Sequence, residues 1–157
     1  MSLNPDLRSE IEIFLASYTE LIDDNNLELW PKFFAKKCLY KIVAKENFDA
    51  GLPLALLLCD SQGMLLDRRD AFSKLNVFAP RTWRHLTNIL HIKKQNKEIL
   101  SRSNFAIFET LVGQDTHVLC TGEYRDKIVR ENGALKFCER ICIYDTTMIP
   151  NSIVRPI

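Results

Sequence analysis

The segment Thr116–Asp145, THVLCTGEYRDKIVRENGALKFCERICIYD, decides the fold. Two long β-rich runs, Thr116 to Arg130 and Ala134 to Asp145, flank the turn Glu131-Asn132-Gly133, which makes the segment a β-hairpin. Working backwards, Gly113-Gln114-Asp115 marks another turn, and Ile99 to Val112 and Trp83 to Lys93 read as two further long strands. Working forwards, the hairpin runs into Asp145 and then a Pro-broken apolar tail, TTMIPNSIVRPI. Asp145 is therefore either a catalytic carboxylate at a strand end or the anchor of a turn into a tail that something must cover. The second reading is preferred, with Asp145 accepting backbone N–H bonds. An exposed flexible end has no need of Met148, Ile149, Ile153, Val154 and Ile157.

The N-terminal half is helical first. Asn4 suits a cap, Pro5 the first helical position and Asp6 the positive helix end. Leu7, Ile11, Phe14, Leu15, Tyr18, Leu21 and Ile22 recur at steps of three and four and form one apolar stripe. Asp23 to Asn26 stops this helix. A short second helix spans LELWPKFFA, beginning or kinking at Pro31. Cys38 to Asn47 and Leu52 to Asp60 read as strands, the latter entering the core. Gly63 to Leu75 returns to helical spacing. Helices followed by consecutive antiparallel strands mean an α+β domain, a long curved sheet wrapped over the N-terminal helices as a cone. Its 157 residues suit a single domain, 1–157.

Composition excludes several classes of function. The chain is 46% hydrophobic and 26% charged, with a formal net charge of +1, so it has no basic field for nucleic acid or anionic membranes. No apolar run reaches a membrane span of about 20 residues, and no secretory signal opens the sequence, which predicts a cytoplasmic protein. The five cysteines have no CxxC spacing and read as buried, reduced thiols. Cys138 and Cys142 are expected to share a strand face.

The chemistry-bearing motifs are few. A facial triad needs two His and a carboxylate on one ion. His85 and His91 share a predicted strand face but stand about 20 Å apart at strand rise. Paired Cys/His Rieske motifs are missing, as are GxGxxG, a P-loop and a GxSxG elbow. No metal ligand, cofactor-binding residue or catalytic residue is therefore assigned. One alternative is acid–base chemistry in the open end of the cone, with Tyr18, Tyr40, His85, Asn88, His117 and Asp145 as lining candidates. The same set would serve a small-ligand-binding module. The charged residues Arg125, Asp126, Lys127, Arg130, Glu139 and Arg140 are either a solvated sheet face or a protein interface.

Taken in order, NLELWPKFFAKKCLYKIVAKENFDAGLPLALL, GMLLDRRDA, RHLTNI, SNFAIFETL and GEYRDKIVRENGALKFCERICIYDTTMIPNSIVRPI resemble the small (beta) subunit of Rieske non-haem iron aromatic-ring-hydroxylating dioxygenases. The resemblance covers nearly the whole chain. The ENFDAGLPLALL segment and the ending are most similar to small subunits of salicylate 5-hydroxylase, with those of anthranilate and terephthalate dioxygenases close by. The resemblance implies a cone fold like that of nuclear transport factor two. It also implies a structural, non-catalytic role in an alpha3beta3 hetero-hexamer that hydroxylates a hydroxy-, amino- or carboxy-benzoate. The alpha subunit would carry the Rieske [2Fe–2S] cluster and Fe(II), with NADH supplying electrons through a reductase. Interface candidates toward the alpha subunit and other beta subunits are then Arg81, Trp83, His85, Arg125, Asp126, Arg140, Met148, Ile149, Ile153, Val154 and Ile157. In relatives an aromatic usually precedes the final Pro-Ile. Here Arg155 stands there and is expected to pair with a carboxylate or face water.

Overall fold

The structure, a computed structural model, describes residues 5–75, 77–146, 148–149 and 153–157. The expected cap at Asn4 lies outside them. Helix α1 (Pro5–Asp23) turns its apolar stripe inward: Ile11, Tyr18, Leu21 and Ile22 are buried, and Leu7, Phe14 and Leu15 pack on the same core. It ends in a Schellman arrangement. Asn25 adopts φ 57°, its N–H reaches the Ile22 carbonyl at 3.0 Å, and the Asn26 N–H reaches the Leu21 carbonyl at 3.0 Å. Asn tolerates this left-handed backbone, which satisfies carbonyls the helix leaves open.

The expected second helix is a 3-10 stretch, Leu27–Phe33, with Pro31 inside it and Trp30 buried. Pro31 brings no N–H to a hydrogen-bond ladder, so only a short tight helix forms around it. Strand β1 (Phe34–Ala44) starts earlier than Cys38 and stops before Asn47, because Lys45–Asp49 folds as the short helix α2. Of the apolar run Leu52–Asp60, only β2 (Leu57–Cys59) is a strand. Helix α3 (Gln62–Asp70) is capped by the Ser61 hydroxyl, which accepts the Met64 N–H at 3.3 Å, and continues as a π turn, Ala71–Leu75.

The remaining strands are β3 (Arg81–Gln95), β4 (Glu98–Leu111), β5 (His117–Glu131) and β6 (Ala134–Tyr144). Asn132 and Gly133, at φ 52° and 81°, form the two-residue turn between β5 and β6. The sheet order is β2-β1-β6-β5-β4-β3. The pairs β3/β4, β4/β5, β5/β6 and β1/β2 are antiparallel, while β1 runs parallel to β6. The sheet is therefore mixed rather than wholly antiparallel. The chain leaves β1 through α2, β2 and α3 and returns at the far edge, so the last strand of the meander closes against β1 in the same direction.

Bulges bend this sheet around α1. One shifts the register between Ile89 and His91, one between Ile107 and Phe108, and one opposite Lys127 and Ile128. The last has the largest consequence. Lys127 pairs with Glu139 and Ile128 with Phe137, leaving Cys138 as the extra residue. Leu135 and Phe137 point inward before it, and Arg140, Cys142 and Tyr144 after it. An aromatic cluster fills the space between α1, the 3-10 stretch and β6. Phe14 lies 4.7 Å and Tyr18 5.3 Å from the Phe137 ring, and Trp30 lies 5.2 Å from Tyr40. At Gly122 the β5 and β6 backbones approach so closely that a Cβ would stand 2.0 Å from the Ile143 carbonyl oxygen.

Candidate functional site

The interior of the cone is occupied by the chain's own tail. The Ile157 carbonyl accepts from the Tyr40 hydroxyl at 2.9 Å, the Tyr18 hydroxyl at 3.2 Å and the Cys142 thiol at 3.3 Å. The Ile157 N–H donates to the Tyr40 hydroxyl at 2.8 Å, and Trp30 Nε1 donates to the Tyr18 hydroxyl at 3.1 Å. Burial pushes both phenols well above their ordinary pKa. Tyr18 and Tyr40, two of the pocket candidates, are thus brought together, with Ile157 rather than open space between them. Val154, Arg155 and Ile157 are all buried. Among the described residues Arg155 pairs with no carboxylate, and it is buried rather than facing water: it donates to the carbonyls of Asp23 at 3.4 Å and Arg81 at 3.1 Å and lies 5.4 Å over the Trp83 ring.

Beside the tail lies a buried ion pair. Arg140 Nη1 meets Asp126 Oδ2 at 2.8 Å, and the guanidinium rests 3.8 Å from the Tyr124 ring, 4.3 Å from Tyr18 and 4.8 Å from Phe137. Burial pushes the Asp126 carboxyl up to about 6, against the pull of Arg140. Neither residue is on an outer surface, which corrects their place among the interface candidates. Alternate residues of a strand face opposite sides, so Asp126 points in where Arg125 and Lys127 point out. The bulge at Cys138 then sends Arg140 inward to meet it.

A second polar cluster sits where β3 begins. Asp23 accepts the His85 backbone N–H at 3.0 Å through Oδ2, and its Oδ1 lies 2.6 Å from His85 Nδ1. His85 Nε2 is buried and has no hydrogen-bond partner among the described residues. Asp23 was missed in the sequence, although a signal existed. An acid in the last turn of a helix is disfavoured by the dipole unless a partner holds it. Glu109 gathers three neighbours: Trp83 Nε1 at 2.8 Å, Arg81 at 3.0 Å and His117 Nε2 at 3.4 Å. Trp83 is fully buried. Like Asp126, Arg140, Val154 and Ile157, it is covered by this chain itself and not available as a surface anchor.

The other candidates scatter. Asn88, His91 and His117 are exposed, and the bulge after Ile89 breaks the shared face expected for His85 and His91. Asp145 is exposed, and its carboxylate accepts from the Thr121 hydroxyl at 2.8 Å while its own N–H donates to the Thr121 carbonyl. Among the described residues Asp145 anchors the turn through the Thr121 hydroxyl and its own N–H, with no N–H donor to its side chain. Arg125 is exposed, 4.9 Å over the Phe48 ring and bonded to Glu123. Met148 is exposed, whereas Ile149 and Ile153 are half-buried against the core. A row of leucines that no sequence motif marks stands at one edge of the sheet. Leu57 and Cys59 point in, leaving Leu52, Leu54, Leu56 and Leu58 exposed at the sheet's β2 edge, with Met64 and Leu66 of α3 also exposed. The run Leu52–Asp60 thus enters the core only at Leu57 and Cys59.

The donors present do not fit an iron–sulfur cluster or a mononuclear iron. All five thiols are free, and burial pushes Cys38 up to about 11 and Cys120 and Cys142 up to about 12, against the thiolate a cluster needs. Cys138 and Cys142 do not share a face, because Cys138 is itself the bulged residue: Cys138 donates to the Lys127 carbonyl and Cys142 to Ile157. Among the described residues, no group of three or more His, Cys, Asp or Glu is placed to hold a metal. No helix among them is long and apolar enough to cross a membrane.

Residues 18–151 match the family model described as the ring hydroxylating beta subunit. The small subunit of anthranilate 1,2-dioxygenase from Burkholderia cepacia is 34% identical, with 99% of each chain covered. The beta 2 subunit of the terminal oxygenase component of terephthalate 1,2-dioxygenase from Comamonas is 32% identical, over 94% of this chain and 97% of that one. A solved beta-subunit structure from Novosphingobium aromaticivorans, assigned to an aromatic-ring-hydroxylating dioxygenase, is 36% identical with a TM-score of 0.84 over 95% of each chain. ActVI-ORFA from Streptomyces coelicolor shares the fold at 13% identity, with a TM-score of 0.71 over 89% of this chain and 98% of that one.

Proposed function

We propose that this chain, which belongs to the ring-hydroxylating beta subunit family, acts as the structural small subunit of an aromatic-ring hydroxylating dioxygenase in the catabolism of a hydroxy-, amino- or carboxy-benzoate. The observation that carries this reading is the end-to-end similarity to a subunit whose partner enzyme acts on anthranilate, an aminobenzoate. The filled interior supports it: Ile157, Tyr18, Tyr40 and the Arg140–Asp126 pair pack together where the sequence predicts an open end of the cone able to hold a ligand. In this reading a large (alpha) subunit carries the Rieske cluster and Fe(II), fed by NADH through a reductase. The two chains and further beta copies assemble in the cytoplasm, as alpha3beta3. Leu52, Leu54, Leu56 and Leu58 with Met64 and Leu66 are the apolar surface offered to a partner, and exposed Met148 and Arg125 extend the candidate area.

Co-expression with a cognate large subunit tests the proposal. The expected result is a stable complex that hydroxylates a substituted benzoate, with all its iron in the large subunit. Failure to associate, or aromatic turnover by this chain alone, would refute it.

A second reading, acid–base catalysis in the chain's own pocket, is favoured by one observation. Asp23 orients His85 as a carboxylate orients a general base. His85→Ala separates the two. A structural pair costs stability or assembly and leaves turnover per assembled complex unchanged; a catalytic pair loses kcat with assembly intact.

A further inference from the structure

We infer that the interior of this chain is a binding site for a short apolar peptide segment, whose ligand in cis is residues Ile153–Ile157. The inference does not depend on the assembly role proposed above. Its basis is the way the backbone N–H and carbonyl of one residue, Ile157, are both held. The Tyr40 hydroxyl takes the Ile157 N–H at 2.8 Å and gives its own proton to the Ile157 carbonyl at 2.9 Å. The Tyr18 hydroxyl, itself fixed by Trp30 Nε1, adds a second bond to that oxygen at 3.2 Å, and the Cys142 thiol a third at 3.3 Å. These donors come from α1, β1 and β6, so three independent elements converge on one carbonyl.

The rest of the segment is gripped in the same manner. Val154 and Ile157 are apolar anchors, 5% and 0% exposed. Arg155 bridges the end of α1 and the start of β3 through the carbonyls of Asp23 and Arg81, with Trp83 beneath it. Residues 153–157 belong to no helix and pair with no strand of the sheet. Among the described residues, the hydrogen bonds named above run between the segment and a wall built by other elements. Burial pushes the Tyr18 and Tyr40 phenols up and Cys142 up to about 12, so all three remain donors near neutral pH. The site suits an extended apolar segment that presents a backbone N–H and carbonyl to the phenols and an isoleucine side chain to the aromatic core.

A tethered ligand has an effective concentration in the millimolar range, so the site must be vacated before a peptide added in trans can enter. Ile157→Glu in the full chain does this, since a buried unpaired carboxylate is strongly disfavoured. The probe is fluorescein-labelled Ser-Ile-Val-Arg-Pro-Ile as its C-terminal amide, followed by anisotropy. Saturable one-to-one binding is expected for the Ile157→Glu chain and none for the parent. Adding Tyr40→Phe to Ile157→Glu should weaken binding about tenfold, and peptide should raise the Tm of the Ile157→Glu chain. A folded Ile157→Glu chain that ignores the peptide, or binding indifferent to Tyr40→Phe, overturns the inference. Native-state hydrogen exchange on the parent decides the matter if Ile157→Glu does not fold. The Ile157 amide should open locally, about tenfold or more faster than the β5–β6 amides and independently of denaturant. Exchange of that amide only through global unfolding would make the segment ordinary core and end the proposal.

Discussion

Arg140 and Asp126 face each other across β6 and β5, Nη1 to Oδ2 at 2.8 Å, with side chains 2% and 0% exposed. The guanidinium gains from the faces of Tyr124, Tyr18 and Phe137, since an aromatic ring attracts a desolvated cation. The carboxylate has no such compensation: its Oδ1 meets no donor among the described residues. Burial therefore raises the Asp126 pKa even beside an arginine.

The sign of the resulting pH dependence is definite. An acid whose folded pKa is about 6, above an unfolded value of about 3.9, favours the folded state while protonated. That contribution is full below about pH 4, is lost as pH rises through 6, and amounts to something on the order of 3 kcal/mol. Asp126→Asn cannot titrate, so the stability of the parent relative to Asp126→Asn should fall between pH 4 and pH 6 and then level off. Urea unfolding of both chains across that range checks this. A parent that gains on Asp126→Asn as pH rises would show a depressed pKa instead.

Breaking the pair and replacing it should differ sharply. Arg140→Ala strands a buried carboxyl and should cost about 3–5 kcal/mol near pH 7, whereas Asp126→Leu with Arg140→Met should be much closer to neutral. Denaturant midpoints of the two chains make the comparison.

Trp83→Ala should act on the isolated chain. The indole is fully buried and gives its N–H to Glu109, so truncation should cost about 3–5 kcal/mol of folding stability. An unchanged denaturant midpoint combined with lost assembly would return Trp83 to the role of interface anchor.

Gly122→Ala should be poorly tolerated, because the atom its methyl meets is the Ile143 backbone carbonyl, which cannot swing aside. A loss of roughly 1–3 kcal/mol or more is expected, seen as a lowered Tm. A Tm equal to that of the parent would mean that β5 and β6 separate there at little cost.

Leu54→Lys combined with Leu58→Lys should do the reverse. Both leucines are exposed, at 66% and 43%, so the isolated chain should keep its stability to within about 0.5 kcal/mol. Co-purification with a large subunit should be lost if the β2 edge faces that partner. An intact complex would exclude this edge from the interface.

Much of the architecture is local and was legible. The stripe from Leu7 to Ile22 set α1, Asp23–Asn26 set its stop, and the Glu131–Gly133 turn set the β5–β6 hairpin, because helix period, cap chemistry and turn chemistry act over a few residues. The ordered set of segments from Asn26 to Ile157 also carried the family. What stayed hidden depends on contacts far apart in the chain. Strict alternation after Phe137 would send Arg140 outward. One extra residue at Cys138 reverses the phase, and it is set by pairing with β5 and not by the local sequence. The Asp23–His85 pair joins residues 62 apart. For the tail, the isoleucines and valine required cover, but apolar residues state only that water must be excluded, not by what. The hydroxyls of Tyr18 and Tyr40, meeting the Ile157 carbonyl from 139 and 117 residues away, decided that the cover for Val154 and Ile157 is the chain itself.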